Sequence, residues 1–225
     1  ISLNLTLTAQ ILLAAWKVGV KRLLLFSSST VYPALNYPAK EEEAWSGPTH
    51  PTYFAYGWMK RYLERLAEYV SSQSNTRIII LRPTAVYGDR DNFNLLECHV
   101  IPALIVRALK KENPFVVWGT GEEVRDFLHV SDLAKASLLF LEKYPFCDPI
   151  NIGNGKGISI KELVRIILNI TRHTEAKIIF DSSKPTTIPF RMVDVSKAKS
   201  ILNFEAKISI EEGLADTIKW YKEHA

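Results

Sequence analysis

The chain of 225 residues can bury a sizeable core, in one large domain or two small ones. Its composition, 47% hydrophobic and 23% charged, is that of an ordinary soluble globular protein, and its dispersed net charge of +4 gives no nucleic-acid footprint. The two cysteines have neither metal-ligand spacing nor a disulfide framework, and no membrane-spanning run or signal peptide is visible, so we expect a cytoplasmic protein without a bound metal or a membrane partner.

The first half of the chain predicts alternating helices and buried strands. Apolar residues at helical spacing predict an amphipathic helix over residues 5–18. The short apolar runs at residues 22–26 and 77–81 are typical of strands that are buried on both faces. Between them, a long proline-containing loop over residues 32–52 leads into a helix that ends near Ser71. The expected buried side of this helix consists of Tyr62, Leu63, Leu66, Ala67 and Val70.

The second half predicts a smaller lobe, with no Pro/Gly/Ser-rich linker to separate it from the first. Further helices are expected over residues 100–111, from Ser131, and after the Ser-x-x-Glu capping boxes at Ser159 and Ser209. Short strands are expected over residues 115–118, 124–127 and 150–153. The glycines of Gly119–Gly121 predict a hairpin turn between the first two of these strands.

Tyr56 and Lys60 are four residues apart, which on a helix places the phenol and the ammonium one turn apart on the same face. A fixed cation favours the phenolate, so we expect the pKa of Tyr56 to fall and its hydroxyl to exchange a proton near neutral pH. The spacing alone also fits a solvated helix face. However, Ser27–Ser29 follow the first strand, at the edge where open α/β sheets bind ligands. Together these residues predict a Ser–Tyr–Lys site for alcohol oxidation or ketone reduction.

Several motifs follow one another in a recognisable order. They are Ser28-Ser29-Thr30-Val31-Tyr32, Tyr56-Gly57-Trp58-Met59-Lys60, Arg82-Pro83-Thr84-Ala85-Val86-Tyr87-Gly88, Cys98-His99-Val100-Ile101-Pro102, Val117-Trp118-Gly119-Thr120-Gly121 and Arg125-Asp126-Phe127-Leu128-His129. In this order they resemble the extended short-chain dehydrogenase/reductases, which are NAD(P)-dependent nucleotide-sugar epimerases, dehydratases and reductases. The motifs downstream of Tyr87 most resemble those of the GDP-L-fucose synthases.

The resemblance implies an α/β fold: a Rossmann-like doubly wound parallel sheet with a smaller α+β substrate-binding lobe. Residues 1–92 are then the C-terminal part of the dinucleotide-binding domain. Residues 93–225 form mainly the substrate lobe, with 131–153 returning to the Rossmann sheet. Because no Gly-rich strand-to-helix turn is visible near the start, we expect the first βα units of the Rossmann domain to be missing. The resemblance also implies NADP or NAD as cofactor, and a homodimer formed through the helices at 9–18 and 62–70.

The resemblance also assigns roles to residues. Ser28 would orient the substrate oxygen, Tyr56 would be the acid/base, and Lys60 would tune Tyr56 and bind the nicotinamide ribose. His99 would take part in proton exchange beside a 4-keto group. The implied cofactor contacts are Ser27, Tyr56, Lys60, Pro83, Thr84, Ala85, Val86 and His99. The implied contacts to a nucleotide-diphosphate sugar are Ser29, Thr30, Arg107, Trp118, Arg125 and Arg191.

Departures from the family pattern leave alternatives open. Thr30 stands where the GDP-L-fucose synthases carry a Cys that works with the His, so reduction is implied more strongly than epimerisation of a GDP-4-keto-6-deoxy sugar. The Ser-x-Thr-Val-Tyr run resembles UDP-sugar 4-epimerases, and a truncated, inactive sugar-nucleotide-binding fragment is a third hypothesis. His99 also fits a buried structural histidine, and Arg125 also fits a local ion pair with Asp126.

Overall fold

The computed structural model describes residues 1–184, 186 and 188–225. The helices are α1 (Ser2–Val18), α2 (Phe54–Gln73), α3 (Val100–Leu109), α4 (Val130–Lys143), α5 (Ile160–Ile170), α6 (Ser196–Leu202) and α7 (Ile210–His224). The strands are β1 (Arg22–Phe26), β2 (Arg77–Pro83), β3 (Ala85–Tyr87), β4 (Phe115–Trp118), β5 (Val124–His129), β6 (Pro149–Ile152), β7 (Gly157–Ser159), β8 (Ile178–Asp181) and β9 (Phe190–Arg191). No helix in these ranges is long and apolar enough to cross a membrane.

A parallel sheet in the order β1-β2-β6 forms the first layer, and its central strand is buried on both faces. Successive side chains of β2 point to opposite faces of the sheet. Ile78 and Ile80 pack in the cluster that holds the apolar sides of α1 and α2. Ile79 and Leu81 pack with Phe140 of α4 on the other face. Helices on both faces of a parallel sheet confirm the predicted α/β fold class.

The second lobe is built around β3, β5, β7 and β9, with β4 and β8 paired beside them. Its core contains Phe115, Ile105, Leu163, Ile167 and Leu214, which come from α3, α5, α7 and β4. β6 lies in the first sheet, where it pairs with β2. The chain therefore returns from the second lobe to the first sheet through α4 and β6.

The predicted hairpin at Gly119–Gly121 is wrong. β4 pairs in parallel with β8, whereas β5 pairs with β3, β7 and β9. Gly119 and Gly121 have φ angles of 93° and 83°, and a Cβ on either residue would collide with Glu123 or Phe180. The two glycines thus lie in a tightly packed connection between β4 and β5, which are not neighbours in a sheet.

Helix α2 differs from its prediction in which residues it buries. Tyr62, expected inside, is 56% exposed, whereas Arg61 and Glu64 are almost fully buried. Leu63, Ala67 and Val70 are buried as predicted. The spacing of apolar residues did not predict these two buried charges, because each is satisfied by a partner that is distant in sequence. Arg61, for example, donates to the carbonyl groups of Val31 and Gly47.

Candidate active site

A cleft of about 1140 Å³ opens at the carboxyl end of the parallel sheet and continues into the second lobe. Single ligand sites commonly have volumes of about 300–1,000 Å³, so this cleft has room for a large ligand. Twelve of the residues proposed from the sequence line it. These are Ser28, Ser29, Thr30, Tyr56, Thr84, Ala85, Val86, His99, Arg107, Trp118, Arg125 and Arg191.

Ser28 follows β1 and begins a short 3₁₀ helix over Ser29–Val31. Its Oγ accepts a hydrogen bond from the Thr30 backbone N–H at 3.2 Å and another from Thr30 Oγ1 at 3.0 Å. A hydroxyl has two acceptor sites and one proton. With both acceptor sites occupied, the Ser28 O–H is left to donate into the cleft, toward a substrate oxygen.

Tyr56 and Lys60 lie on the first turns of α2, with Lys60 Nζ 5.6 Å from the centroid of the Tyr56 ring. The same ammonium donates a hydrogen bond to the Phe26 carbonyl at 2.7 Å. Burial raises the pKa of Tyr56, opposite to the predicted fall, because partial removal from water disfavours the phenolate. Burial also lowers the pKa of Lys60, an effect that the Glu64 carboxylate opposes. Tyr56 is therefore a neutral phenol, suited to donate a proton.

Gly57 allows α2 to approach the serine-bearing segment closely. A Cβ at this position would lie 2.5 Å from the Thr30 carbonyl oxygen and 2.8 Å from Thr49 Cγ2. Any larger residue would push the helix carrying Tyr56 away from Ser28. The glycine in the Tyr-Gly motif thus sets the separation between the two hydroxyl-bearing segments.

Two arginines on paired strands also line the cleft. Arg125 of β5 and Arg191 of β9 are cross-strand partners. The pKa of Arg125 is lowered to about 10, first by burial and then by the positive charge of Arg191. The Arg191 guanidinium lies 5.0 Å from the ring centroid of Tyr53. Two adjacent guanidinium groups suit a dianionic group such as a diphosphate.

The neighbouring aspartate faces elsewhere, because successive residues on a strand point to opposite faces. The Asp126 carboxylate accepts hydrogen bonds from the backbone N–H groups of Asn154 at 2.8 Å and Gly155 at 3.1 Å. This arrangement does not support the alternative of a local ion pair between Arg125 and Asp126.

Arg107 is engaged within the protein. Its guanidinium forms a two-point ion pair with Glu112, at 2.5 and 3.0 Å, and donates to the Val116 carbonyl at 2.6 Å. Glu112 also lines the cleft. A substrate phosphate at this position would have to compete with Glu112, whereas Trp118, 59% exposed, leaves a ring face open.

Three of the predicted residues, Ser27, Lys60 and Pro83, do not line the cleft. Ser27 is buried, and its hydroxyl donates to Glu64, so its expected contact with the cofactor stays a prediction. Lys60 reaches the site only through its position beside the Tyr56 ring. His99 is exposed at the start of α3, which argues against a buried structural histidine.

Sequence reasoning assigned no role to six polar residues that line the cleft: Tyr53, Tyr87, Cys98, Glu112, Glu123 and Thr186. Tyr53 could have been found from its spacing of three residues before Tyr56. Cys98 could have been found from its place directly before His99. Glu112 and Glu123 lie outside the motifs and are held by nearby groups, Glu112 by Arg107 and Glu123 by the N–H groups of Thr120 and Gly121.

Comparison with known proteins agrees with this geometry. Residues 1–153 match the NAD dependent epimerase/dehydratase family. The chain belongs to this family. A probable GDP-L-fucose synthase 1 from Oryza sativa subsp. japonica is 36% identical over 230 residues, which cover 100% of this chain and 70% of the relative.

Solved structures of other family members show the same fold. An NADP-bound GDP-L-fucose synthetase from Naegleria fowleri superimposes with a TM-score of 0.90 at 27% identity, covering 98% of this chain and 69% of the other. A UDP-glucose 4-epimerase from Thermotoga maritima superimposes with a TM-score of 0.85 at 28% identity, covering 96% and 68%. The resemblance to NAD(P)-dependent enzymes inferred from the motifs is confirmed.

The residues of this epimerase/dehydratase-family site fit the nicotinamide end of the cofactor. Thr84, Ala85 and Val86 give the cleft a largely apolar stretch of lining. A planar aromatic ring packs well on such a surface. Tyr56, with Lys60 beside it, lines the same cleft and would face both cofactor and substrate.

Proposed function

We propose that this chain is an NAD(P)-dependent nucleotide-sugar reductase, most like the GDP-L-fucose synthases, that reduces a GDP-4-keto-6-deoxy sugar. One observation carries the proposal: the hydroxyl groups of Ser28 and Tyr56 border one cleft that is also lined by the Arg125–Arg191 pair. Such a cleft can hold a sugar carbonyl near the hydroxyls and a diphosphate at the arginines.

The protonation states suit ketone reduction. Ketone reduction needs a proton donor at the carbonyl oxygen, and the raised pKa of Tyr56 keeps its phenol protonated at neutral pH. The Ser28 O–H donates a second hydrogen bond to that oxygen. The bound cofactor supplies the hydride. The Lys60 ammonium, next to the Tyr56 ring, stabilises the phenolate that remains after proton transfer.

Epimerisation would need a further acid/base pair beside the ketone. His99 borders the cleft and supplies one such group. Thr30 is a weak acid, and its hydroxyl already donates to Ser28, so it does not replace a cysteine. Reduction therefore does not depend on the departure at position 30, whereas accompanying epimerisation would depend on His99 and one other residue.

The second candidate is an NAD-dependent 4-epimerase of a UDP-sugar, favoured by the likeness to the Thermotoga maritima enzyme. The two activities differ in cofactor balance. We expect NADPH to be consumed in proportion to a GDP-4-keto-6-deoxy sugar, and Tyr56→Phe to abolish the reaction. Interconversion of UDP-glucose and UDP-galactose without net NADPH consumption would support the 4-epimerase instead. Failure to bind NADPH in a fluorescence titration would support the inactive fragment.

Assembly as a homodimer stays a prediction, supported by exposed apolar side chains on the two helices named for it. Ile11 of α1 is 46% exposed, and Tyr62 and Tyr69 of α2 are 56% and 55% exposed. α1 and α2 pack side by side, so these residues can form one continuous apolar face. A monomeric mass in light scattering would refute the dimer. The cytoplasmic location likewise stays a prediction.

A further inference from the structure

One face of α2 runs from the cleft into the protein interior. Tyr56, Lys60 and Glu64 are spaced by four residues each, so their side chains lie one above the other on the same face. Tyr56 borders the cleft, Lys60 is partly buried, and Glu64 is only 1% exposed. The chemistry assigned to the family's Ser–Tyr–Lys motif uses the first two of these residues and leaves Glu64 without a role.

The two lower residues of this face hold the end of β1. Lys60 Nζ donates to the carbonyl of Phe26 at 2.7 Å, and the Ser27 hydroxyl donates to Glu64 Oε1. Two consecutive residues of the strand end are thus held by two consecutive turns of the helix. The next residue along the chain is Ser28, whose position relative to Tyr56 follows from these two contacts.

The Glu64 carboxylate is anchored in turn by Arg82 at the end of β2. Arg82 Nε donates to Oε1 at 2.9 Å and Arg82 Nη2 donates to Oε2 at 2.6 Å, with both side chains almost completely buried. Arg82 Nη1 also donates to the Tyr32 hydroxyl at 3.0 Å and to the Glu41 carbonyl at 2.7 Å. The pair therefore links both strand ends, α2 and the long loop.

A buried ion pair adds little net stability, because removing both charges from water offsets their attraction. A core of apolar residues would hold these elements together as well. What a two-point pair adds is a fixed geometry. We propose that Glu64 is a positioning residue that fixes the end of β1 against α2, holds Ser28 opposite Tyr56 and keeps a negative charge one turn below Lys60. This inference rests on the Ser28–Tyr56–Lys60 site of the proposed function.

The charge of Glu64 acts on Lys60. Burial lowers the pKa of Lys60 and the Glu64 carboxylate raises it, so the carboxylate keeps the ammonium charged beside Tyr56. The charged and titratable groups around Glu64 are Lys60 and Arg61 on α2, Arg82 on β2, Tyr32 beyond Arg82, and Cys147 before β6. Among these, only Lys60 borders the reacting phenol.

The test is Glu64→Gln in the protein that carries this chain, because glutamine keeps the shape and one acceptor oxygen but removes the charge. We expect kcat to fall roughly 10- to 100-fold, the order of loss that follows a misplacement of about 1 Å. KM for the sugar nucleotide should change less than about threefold, because Glu64 is buried and does not line the cleft. The basic limb of the kcat–pH profile should move to lower pH, because Lys60 loses its proton more readily.

Glu68→Gln is the matched control, since Glu68 lies one turn further along α2 in an exposed ion pair with Arg65 at 2.5 Å. It should leave kcat and the pH profile unchanged. An unchanged pH profile in folded Glu64→Gln would overturn the proposed effect of the carboxylate on Lys60, and an unchanged kcat would overturn the positioning role. Tyr56→Phe is measured in parallel, and full activity in that variant would refute the proposed function rather than this inference.

Should Glu64→Gln fail to fold, Ser27→Ala removes only the link between Glu64 and the end of β1 and leaves the Arg82 pair intact. We expect kcat to fall about 3- to 10-fold in that variant, with the basic limb unchanged because the carboxylate remains. An unchanged kcat in Ser27→Ala would overturn the proposal that this contact positions Ser28.

Discussion

Gly57→Ala should damage catalysis far more than it damages stability. The new Cβ would lie 2.5 Å from the Thr30 carbonyl oxygen, whereas ordinary contacts begin near 3.4 Å, so α2 and the Ser28–Thr30 segment must separate by about 0.9 Å. Backbone cannot give way as a flexible side chain does. Overpacking of this kind costs about 1–3 kcal/mol, but alanine recovers about 1 kcal/mol of helix propensity.

The net loss of stability is therefore about 0–2 kcal/mol, which lowers Tm by no more than about 8 °C in a chain of this size. The same shift of nearly 1 Å between Ser28 and Tyr56 should lower kcat by roughly 100-fold. The assay is NADPH oxidation with a keto-sugar nucleotide, beside thermal unfolding. Gly47→Ala is the matched control, because its nearest contact, Pro33 Cβ, would lie 3.6 Å away. Wild-type kcat in folded Gly57→Ala would refute the reasoning.

Two further predictions concern the second lobe. His129 is buried, and burial lowers its pKa, so stability should fall as the pH drops through its ordinary value of about 6.5, by at most about 1.4 kcal/mol per pH unit. His129→Asn keeps an acceptor for the Ser131 N–H at the start of α4. The difference in unfolding free energy between pH 7.5 and 5.5, measured by urea unfolding, should be smaller in this variant than in the wild type. An equal difference in both proteins would contradict the assignment to His129. Arg191→Ala should raise KM for the sugar nucleotide about 10- to 100-fold, the equivalent of the roughly 1.5–3 kcal/mol of a charge-assisted hydrogen bond. The exposed Arg165→Ala should leave KM unchanged, and an equal rise in both variants would point to net charge rather than to Arg191.

The local sequence pattern predicted the helices and strands of the first layer, because apolar runs and helix ends depend mainly on residues that are close in sequence. The apolar run of β2 is buried on both faces as predicted. β1 is not, because it lies at the edge of the described sheet: of its residues only Leu25 is buried, and Phe26 is 43% exposed. Gly19 ends α1 in the left-handed conformation that favours glycine. The hairpin at Gly119–Gly121 failed because strand pairing is set by distant segments. The pKa of Tyr56 is raised and not lowered as predicted, because the sequence indicates the nearby lysine but not the burial of the phenol.

The candidate site was predicted as a set of positions, and the cleft gathers twelve of them. What the pattern could not supply was their partners within the protein. Glu112 forms an ion pair with Arg107, five residues earlier in the chain. Glu64 on α2 forms one with Arg82 on β2, eighteen residues later. The Glu64–Arg82 pair is required because both charges are buried, and a buried charge needs an opposite charge that only the folded structure brings near.

The contacts of Lys60 and Glu64 with the end of β1 also limit how the segment from Tyr56 to Glu64 can vary in length. A residue inserted between Lys60 and Glu64 would rotate the following turns by about 100° and carry the carboxylate away from Ser27 and Arg82. Substitutions on the outer face of the helix leave this spacing intact, whereas a change in the number of residues between the phenol and the buried carboxylate does not. Insertions and deletions among relatives should therefore be absent from this segment and collect in the loops that surround it.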